Sequence, residues 1–261
     1  MRKALFATVL ALVNTAAIAS DINPARRVVP LAPVWSWTGF YVGGNVGYAN
    51  SYENETISGN NAVSGLVVGT GGIPSSSALN ANGWMAGGQI GYNYQFGEFV
   101  AGVEADFDWS DVKGSSNAAV NLTAIGLPVT LATTETRGSD WLGTVRGRLG
   151  TTILDPRTLL YATGGGAYAN VHGTTTSTLN AFGKTFSASD SYSTSRFGWT
   201  VGGGVEAMLT QHWTWKAEYL YIDLGSHDGD FATVVGGTPV SFHDHQNLTE
   251  HLLRGGINYK F

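Results

Sequence analysis

The chain has 261 residues, with 36 Gly, 11 Phe, 11 Tyr, 8 Trp, no Cys, 13% charged residues and a formal net charge of −5. The lack of cysteine excludes a disulfide scaffold and any Cys-ligated zinc or iron–sulfur site, and the acidic balance excludes a basic nucleic-acid footprint. Charge at roughly half the usual ~25%, beside so many aromatics, excludes a disordered acidic chain and points to β-structure in an unusual solvent.

The N-terminus reads as an address. Arg2 and Lys3 precede an apolar run over 4–13, and Ala17-Ile18-Ala19 stands before Ser20. A basic n-region, an apolar h-region and an A-x-A site predict a signal peptide over 1–19, cleaved after Ala19. No later stretch supplies the ~18 consecutive apolar residues of a spanning helix. Residues 20–36 hold Pro24, Pro30 and Pro33 and read as an extended linker.

From Trp37 onward, eight segments alternate apolar or aromatic residues with Gly, polar or charged ones, which is the strand period. In the first, Phe40, Val42, Val46 and Tyr48 oppose Tyr41, Asn45 and glycines. In the second, Trp84, Ile90, Tyr92, Tyr94 and Phe96 oppose Met85, Gln89, Asn93 and Gln95. The third sets Phe99, Val103, Phe107 and Trp109 against Glu104, Asp106 and Asp108; the fourth sets Trp141, Val145 and Leu149 against Thr144, Arg146 and Arg148. The fifth, 159–169, is Gly-rich and declares no register. The sixth places Glu206 opposite Phe197, Trp199 and Val201, and the seventh places Lys216 and Glu218 opposite Trp213, Trp215, Tyr219 and Tyr221. The eighth sets Arg254, Asn258 and Lys260 against Leu253, Ile257, Tyr259 and Phe261.

Short links at Gly97-Glu98, 154–158 and 210–212 alternate with long Ser/Thr/Asn/Gly-rich stretches near 50–82, 110–140, 170–196 and 225–250. Compact domains rarely hold several loops of that length. The pattern predicts an all-β fold: an eight-stranded antiparallel transmembrane β-barrel with short periplasmic turns and four long extracellular loops. The polar faces carry five acids (Glu104, Asp106, Asp108, Glu206, Glu218) and five bases (Arg146, Arg148, Lys216, Arg254, Lys260). Matched charge on one face, against an uncharged opposite face, suits a lumen ion-pair network with lipid outside.

The strand motifs resemble a known family. Trp37-Thr38-Gly39-Phe40-Tyr41-Val42-Gly43-Gly44-Asn45-Val46-Gly47-Tyr48, the echo Gly87-Gly88-Gln89-Ile90-Gly91-Tyr92, Lys216-Ala217-Glu218-Tyr219-Leu220-Tyr221 and the closing Arg254-Gly255-Gly256-Ile257-Asn258-Tyr259-Lys260-Phe261 are similar to the small outer-membrane β-barrel surface antigens of α-proteobacteria, the 25- and 31-kilodalton group with an opacity- or OmpA-type barrel. The resemblance spans 37–261 and leaves the long stretches untouched. It implies residence in the cell outer membrane of a Gram-negative bacterium. It also implies that Ile257, Tyr259 and the terminal Phe261 form the signal read by the barrel-assembly machinery.

The search for chemistry yields little. Gly43-Gly44-Asn45-Val46-Gly47, Gly164-Gly165-Gly166 and Gly202-Gly203-Gly204 lack the helix and the GK[ST] of a phosphate loop. The stretch 217–253 has no Lys or Arg but holds His227, His243 and His245 among acids. With His251 nearby, these three are candidate metal ligands, and a solvated acidic loop is the preferred reading. No Ser–His spacing defines a hydrolase. The expectation is a structural surface barrel, not an enzyme and with no cofactor. It would support envelope integrity and meet lipid, lipopolysaccharide and host or environmental ligands through its loops. The alternatives are a haem- or divalent-metal-binding surface protein and a narrow porin-like channel.

Overall fold

Strand alternation from Gly39 to Lys260 builds one closed sheet. The computed structural model describes residues 35–69, 76–121, 128–235 and 238–261. The signal peptide and most of the linker expected over 1–36 lie outside them. The strands are β1 (Gly39–Gly59), β2 (Ser76–Phe96), β3 (Phe99–Asn121), β4 (Val129–Asp155), β5 (Thr158–Ala181), β6 (Lys184–Met208), β7 (Trp213–Val235) and β8 (Thr238–Lys260), with one helix, α1 (Ala62–Gly69), after β1. Each strand pairs antiparallel with its chain neighbours, and β8 closes on β1 from Tyr41↔Lys260 to Gly59↔Phe242. Helix α1 is unannounced by any apolar period. Its start is fixed by a reciprocal cap, in which Ser64 N donates to Asn61 Oδ1 and Asn61 N to Ser64 Oγ, both at 2.9 Å.

The strands run 21–27 residues, about twice the ~9–11 that a tilted bilayer crossing requires. The four long loops expected near 50–82, 110–140, 170–196 and 225–250 are therefore mostly β-ribbon. In the third of them, β5 and β6 pair without a break up to Ala181↔Lys184. A two-residue turn, Phe182-Gly183, closes the ribbon with both φ angles positive (50° and 77°). Hydroxyl rungs tie its strands: Thr174–Ser191 at 3.0 Å, Thr176–Ser189 at 3.2 Å and Thr178–Ser187 at 3.3 Å. The ribbon is wet on both faces, so it carries no apolar alternation, and its Ser/Thr content mimics a loop.

Two seams divide the outer part. Pairing between β2 and β3 ends at Asn82↔Lys113 and between β6 and β7 at Trp199↔Asp223, whereas β3–β4 pairing continues to Asn121↔Thr130 and β7–β8 pairing to Val235↔Thr238. Above these points the wall splits into two four-stranded sheets, β7-β8-β1-β2 and β3-β4-β5-β6. Irregularities at Trp109/Val112 and Asp223/Ser226 mark the splits, the second containing Gly225 at φ 74°.

Outward side chains are large and apolar: Trp84, Trp109, Val145 and Phe197 are 65–74% exposed. A patch of this extent is untenable in water and matches lipid. Inward side chains fall into layers. At the short-turn end, Trp37 packs with Val100, Leu159, Tyr161 and Met208. The Trp37 indole donates to the Pro156 carbonyl at 3.1 Å and its backbone N–H to Gln95 Oε1 at 2.8 Å, which closes that mouth. At the far side of the charged layer lies a second apolar cluster that includes Met85, Leu142, Leu220, Ile222 and Leu252. The fifth strand resolves with Tyr161, Thr163, Ala167 and Ala169 inward and Leu160 and Tyr168 outward. Its glycines matter at one close approach: a Cβ on Gly165 would stand 2.0 Å from the Val145 carbonyl oxygen.

Candidate functional site: a charged layer in the lumen

The strand period sends alternate residues of β3, β4, β6, β7 and β8 inward, and the register sets their heights. Glu104 lies directly across from Arg146, Glu206 from Lys216 and Glu218 from Arg254. The ion pairs only partly follow this register. Arg146 reaches Glu104 at 2.5 Å, Asp106 at 2.8 Å and Glu218 at 3.0 Å. Arg254 holds Asp106 at 2.9 Å, Asp108 at 2.8 Å and Glu218 at 2.7 Å. Lys216 leaves its cross-strand partner for Glu104 at 2.9 Å, and Glu206 takes Arg148 instead at 2.6 Å. The reason is reach: a lumen this narrow lets long side chains meet across the axis as readily as along the wall. All nine of these side chains are at most 7% exposed.

Lys260 does not join them. It is half-buried at the short-turn end, where its ammonium donates to the Ser36 carbonyl. The layer therefore holds five acids and four bases, not the five and five expected from the alternation. Neutral donors supply the difference. Tyr41 and Tyr161 hydroxyls donate to Glu104 and Glu218 at 2.7 and 3.0 Å. Thr144 donates to Asp106 at 2.8 Å and Thr214 to Glu206 at 2.5 Å. An amide chain, Asn45 to Gln89 to Asn258, ends on Glu206 at 2.8 Å. The Arg148 guanidinium stacks 4.0 Å over the Tyr161 ring. Sequence reasoning missed Tyr161 because its strand had no readable register.

A second polar group, unforeseen because it sits in stretches read as loops, lies farther out. Arg137 pairs with Glu53 and Glu135, and Gln246 accepts from Arg196 at 3.1 Å. Glu250, only 4% exposed, has an Oε1 without a hydrogen-bond partner among the described residues. A buried acceptor with nothing to accept from costs about 1–3 kcal/mol. Glu250→Gln is therefore expected to leave the barrel equally stable or more stable by about 1 kcal/mol, read as the urea midpoint of the protein refolded in lipid. A clear loss would show that the carboxylate is engaged.

His243 and His245 both approach Asp228, at 3.6 and 2.6 Å, each within a cross-strand pairing. Asp230 lies across from His243 and Asp228 from His245, and each His Nδ1 meets its facing carboxylate, at 3.0 and 2.6 Å. Hydrogen bonds from His243 and Asn60 hold the exposed Asp230 carboxyl below the usual aspartate range. The side chain of His227 lies outside the described residues. Among the described residues no group of three or more His, Cys, Asp or Glu is placed to hold a metal ion. The three glycine clusters run within β1, β5 and β6, and none leads directly into a helix. Ile257 and Phe261 point outward, with Phe261 N donating to the Phe40 carbonyl at 3.0 Å and Tyr259 edge-on to Trp213 at 5.1 Å. No helix among the described residues is long and apolar enough to cross a membrane.

The chain is similar to known outer-membrane proteins. The outer membrane protein beta-barrel domain family matches residues 5–261. A 31 kDa outer-membrane immunogenic protein of Brucella melitensis biotype 1 is 36% identical over 275 aligned residues, covering 100% of both chains. A 22 kDa outer membrane protein of Rhizobium leguminosarum bv. viciae is 32% identical, covering 77% of this chain and 71% of its own. A 25 kDa outer-membrane immunogenic protein of Brucella abortus biovar 1 is 30% identical, covering 91% and 85%. Among solved structures, OprG of Pseudomonas aeruginosa covers 88% of this chain and 99% of its own at 13% identity and a TM-score of 0.44.

Proposed function

Because the chain belongs to the outer membrane protein beta-barrel domain family, we propose that this outer-membrane protein is a closed structural wall element that presents two β-sheets at the cell surface. The observation that carries this reading is the stratified lumen. A layer of buried ion pairs is shut between two apolar clusters, one around Trp37 and one around Leu220 and Leu252. An ion crossing it would have to shed water against leucines and then displace paired guanidiniums, both costly steps. The outer ribbons stand clear of the bilayer and carry mostly neutral polar side chains, which suits contact with host or environmental ligands and with lipopolysaccharide. Export by a leader over 1–19, leaving 20–36 in the periplasm, belongs to the same proposal.

Planar-bilayer recording of the refolded protein tests it. No steady conductance is expected, and a reproducible open level would overturn the closed-wall reading in favour of a narrow channel. A further expectation concerns assembly. Deleting Phe261 removes an outward aromatic and the backbone bond to Phe40, so the heat-modifiable folded band should form more slowly and unfolded protein should accumulate in the periplasm. Assembly at the parental rate would reject Phe261 as part of the signal.

A further inference from the structure

The seam between β2 and β3 is more than a gap. Where their pairing stops, a cleft of about 580 Å³ opens, lined by Asn80 and Asn82 of β2, Lys113 and Ser115 of β3, Thr136 of β4 and His172 of β5 among others. No carboxylate is among the lining residues. The groups offered are amides, hydroxyls, one ammonium, one imidazole and the Arg137 guanidinium, whose charge is met by Glu53 and Glu135, so the chemistry that fits is rich in oxygen acceptors. The surroundings narrow it further. Lys113 pairs with exposed Asp111, and His172 Nδ1 lies 3.3 Å from Asp140. These rim acids leave little net positive charge to hold a free anion in water. An exposed pair such as Lys113–Asp111 is also weak, so the ammonium can turn to a ligand.

Position supplies the second constraint. Two residues from Asn82 on the same outward face is Trp84, 65% exposed, and across from Ala86 on β3 is Trp109, 68% exposed. Tyr48 donates to Asn82 Oδ1 at 2.8 Å and meets Trp84 edge-on at 5.4 Å. Trp and Tyr collect where an apolar band gives way to head groups. The polar cleft thus sits directly beyond the edge of the lipid-facing wall. A ligand held there would place hydroxyls and phosphate in the cleft and apolar chains over Trp84, Trp109 and Ala86.

We propose that this cleft binds the phosphorylated saccharide head group of an outer-leaflet glycolipid, with its acyl chains on the adjoining wall. The proposal rests on the outer-membrane placement above but not on the closed lumen. Asn80 and Asn82 contact sugar hydroxyls, Lys113 takes a phosphate oxygen, and the acyl chains supply the affinity that the nearly neutral cleft lacks.

The test uses the full mature chain in nanodiscs of phosphatidylcholine, titrated with purified lipopolysaccharide, with its deacylated saccharide, or with inorganic phosphate. Bound ligand is counted by native mass spectrometry. The heat-modifiable band monitors folding, and conductance is recorded separately. Lipopolysaccharide should bind the parent, and the two soluble probes should not. Lys113→Glu should weaken binding at least about ten-fold, the loss expected for one charge-assisted hydrogen bond, and Asn80→Ala with His172→Leu should do the same without altering the charge of Lys113. Ser191→Ala, on the β5–β6 ribbon outside the cleft lining, should bind as the parent does. Equal binding by the parent and both cleft variants would overturn the proposal. So would binding of the deacylated saccharide as tightly as the lipid, which would make the cleft a site for soluble sugar.

Discussion

Arg146→Ala is expected to cost about 3–5 kcal/mol of barrel stability, the range for removing one partner of a fully buried ion pair. The guanidinium has no exposed surface and touches three carboxylates, on Glu104, Asp106 and Glu218. The layer already has one base fewer than it has acids, so no spare cation can move in. Water is the remaining source of relief, and the apolar clusters on either side restrict it. Equilibrium urea unfolding in lipid vesicles measures the loss. A cost below about 1 kcal/mol, the usual worth of an exposed pair, would mean that the lumen is wet and the layer solvated.

One residue earlier the demand reverses. Val145 is 68% exposed and lies between outward Trp141 and Ile153 on the same strand, within the apolar band. Val145→Lys should cost about 2–4 kcal/mol, the range for a cation near the bilayer midplane, and less if the side chain snorkels to a head group. Thr134→Lys, exposed on the same strand far above the band, should cost almost nothing. The pair of substitutions isolates depth from strand propensity. Equal stability of the two variants would show that the outward face at Val145 does not meet lipid. Arg146 and Val145 are neighbours in the chain, yet one must be charged and the other must not, because successive side chains of a strand face opposite solvents.

The same alternation makes the barrel wall legible in the sequence. Within the band, one face meets lipid and the other meets packed polar groups, so residues such as Phe107 and Asp106 announce their sides. Farther out that contrast vanishes. Thr174, Thr176, Ser189 and Ser191 are in water on both faces of their ribbon, and hydroxyls that read as loop composition are in fact rungs of a sheet. Arg137, Glu53 and Glu250 were invisible for the same reason, since an inward position means nothing until the strand carrying it is known to continue.

By itself the sequence determined the strand count, the side that wall residues face in every strand but the Gly-rich fifth, and the sign of most charges sent inward, because these are local consequences of a two-residue period. Only the tertiary structure decided which charges meet. Lys216 and Glu206 stand directly across from each other but find other partners, Lys216 over the axis on Glu104 and Glu206 two strands along the wall on Arg148, and Lys260, on the same face as Arg254, turns to a backbone carbonyl near the chain entrance. It also decided where the wall parts at Asn82 and Trp199 to form the two outer sheets. The period fixes a residue's face, but its height and its partner across the lumen depend on register, closure and side-chain length acting together, and no segment of the chain carries that information alone.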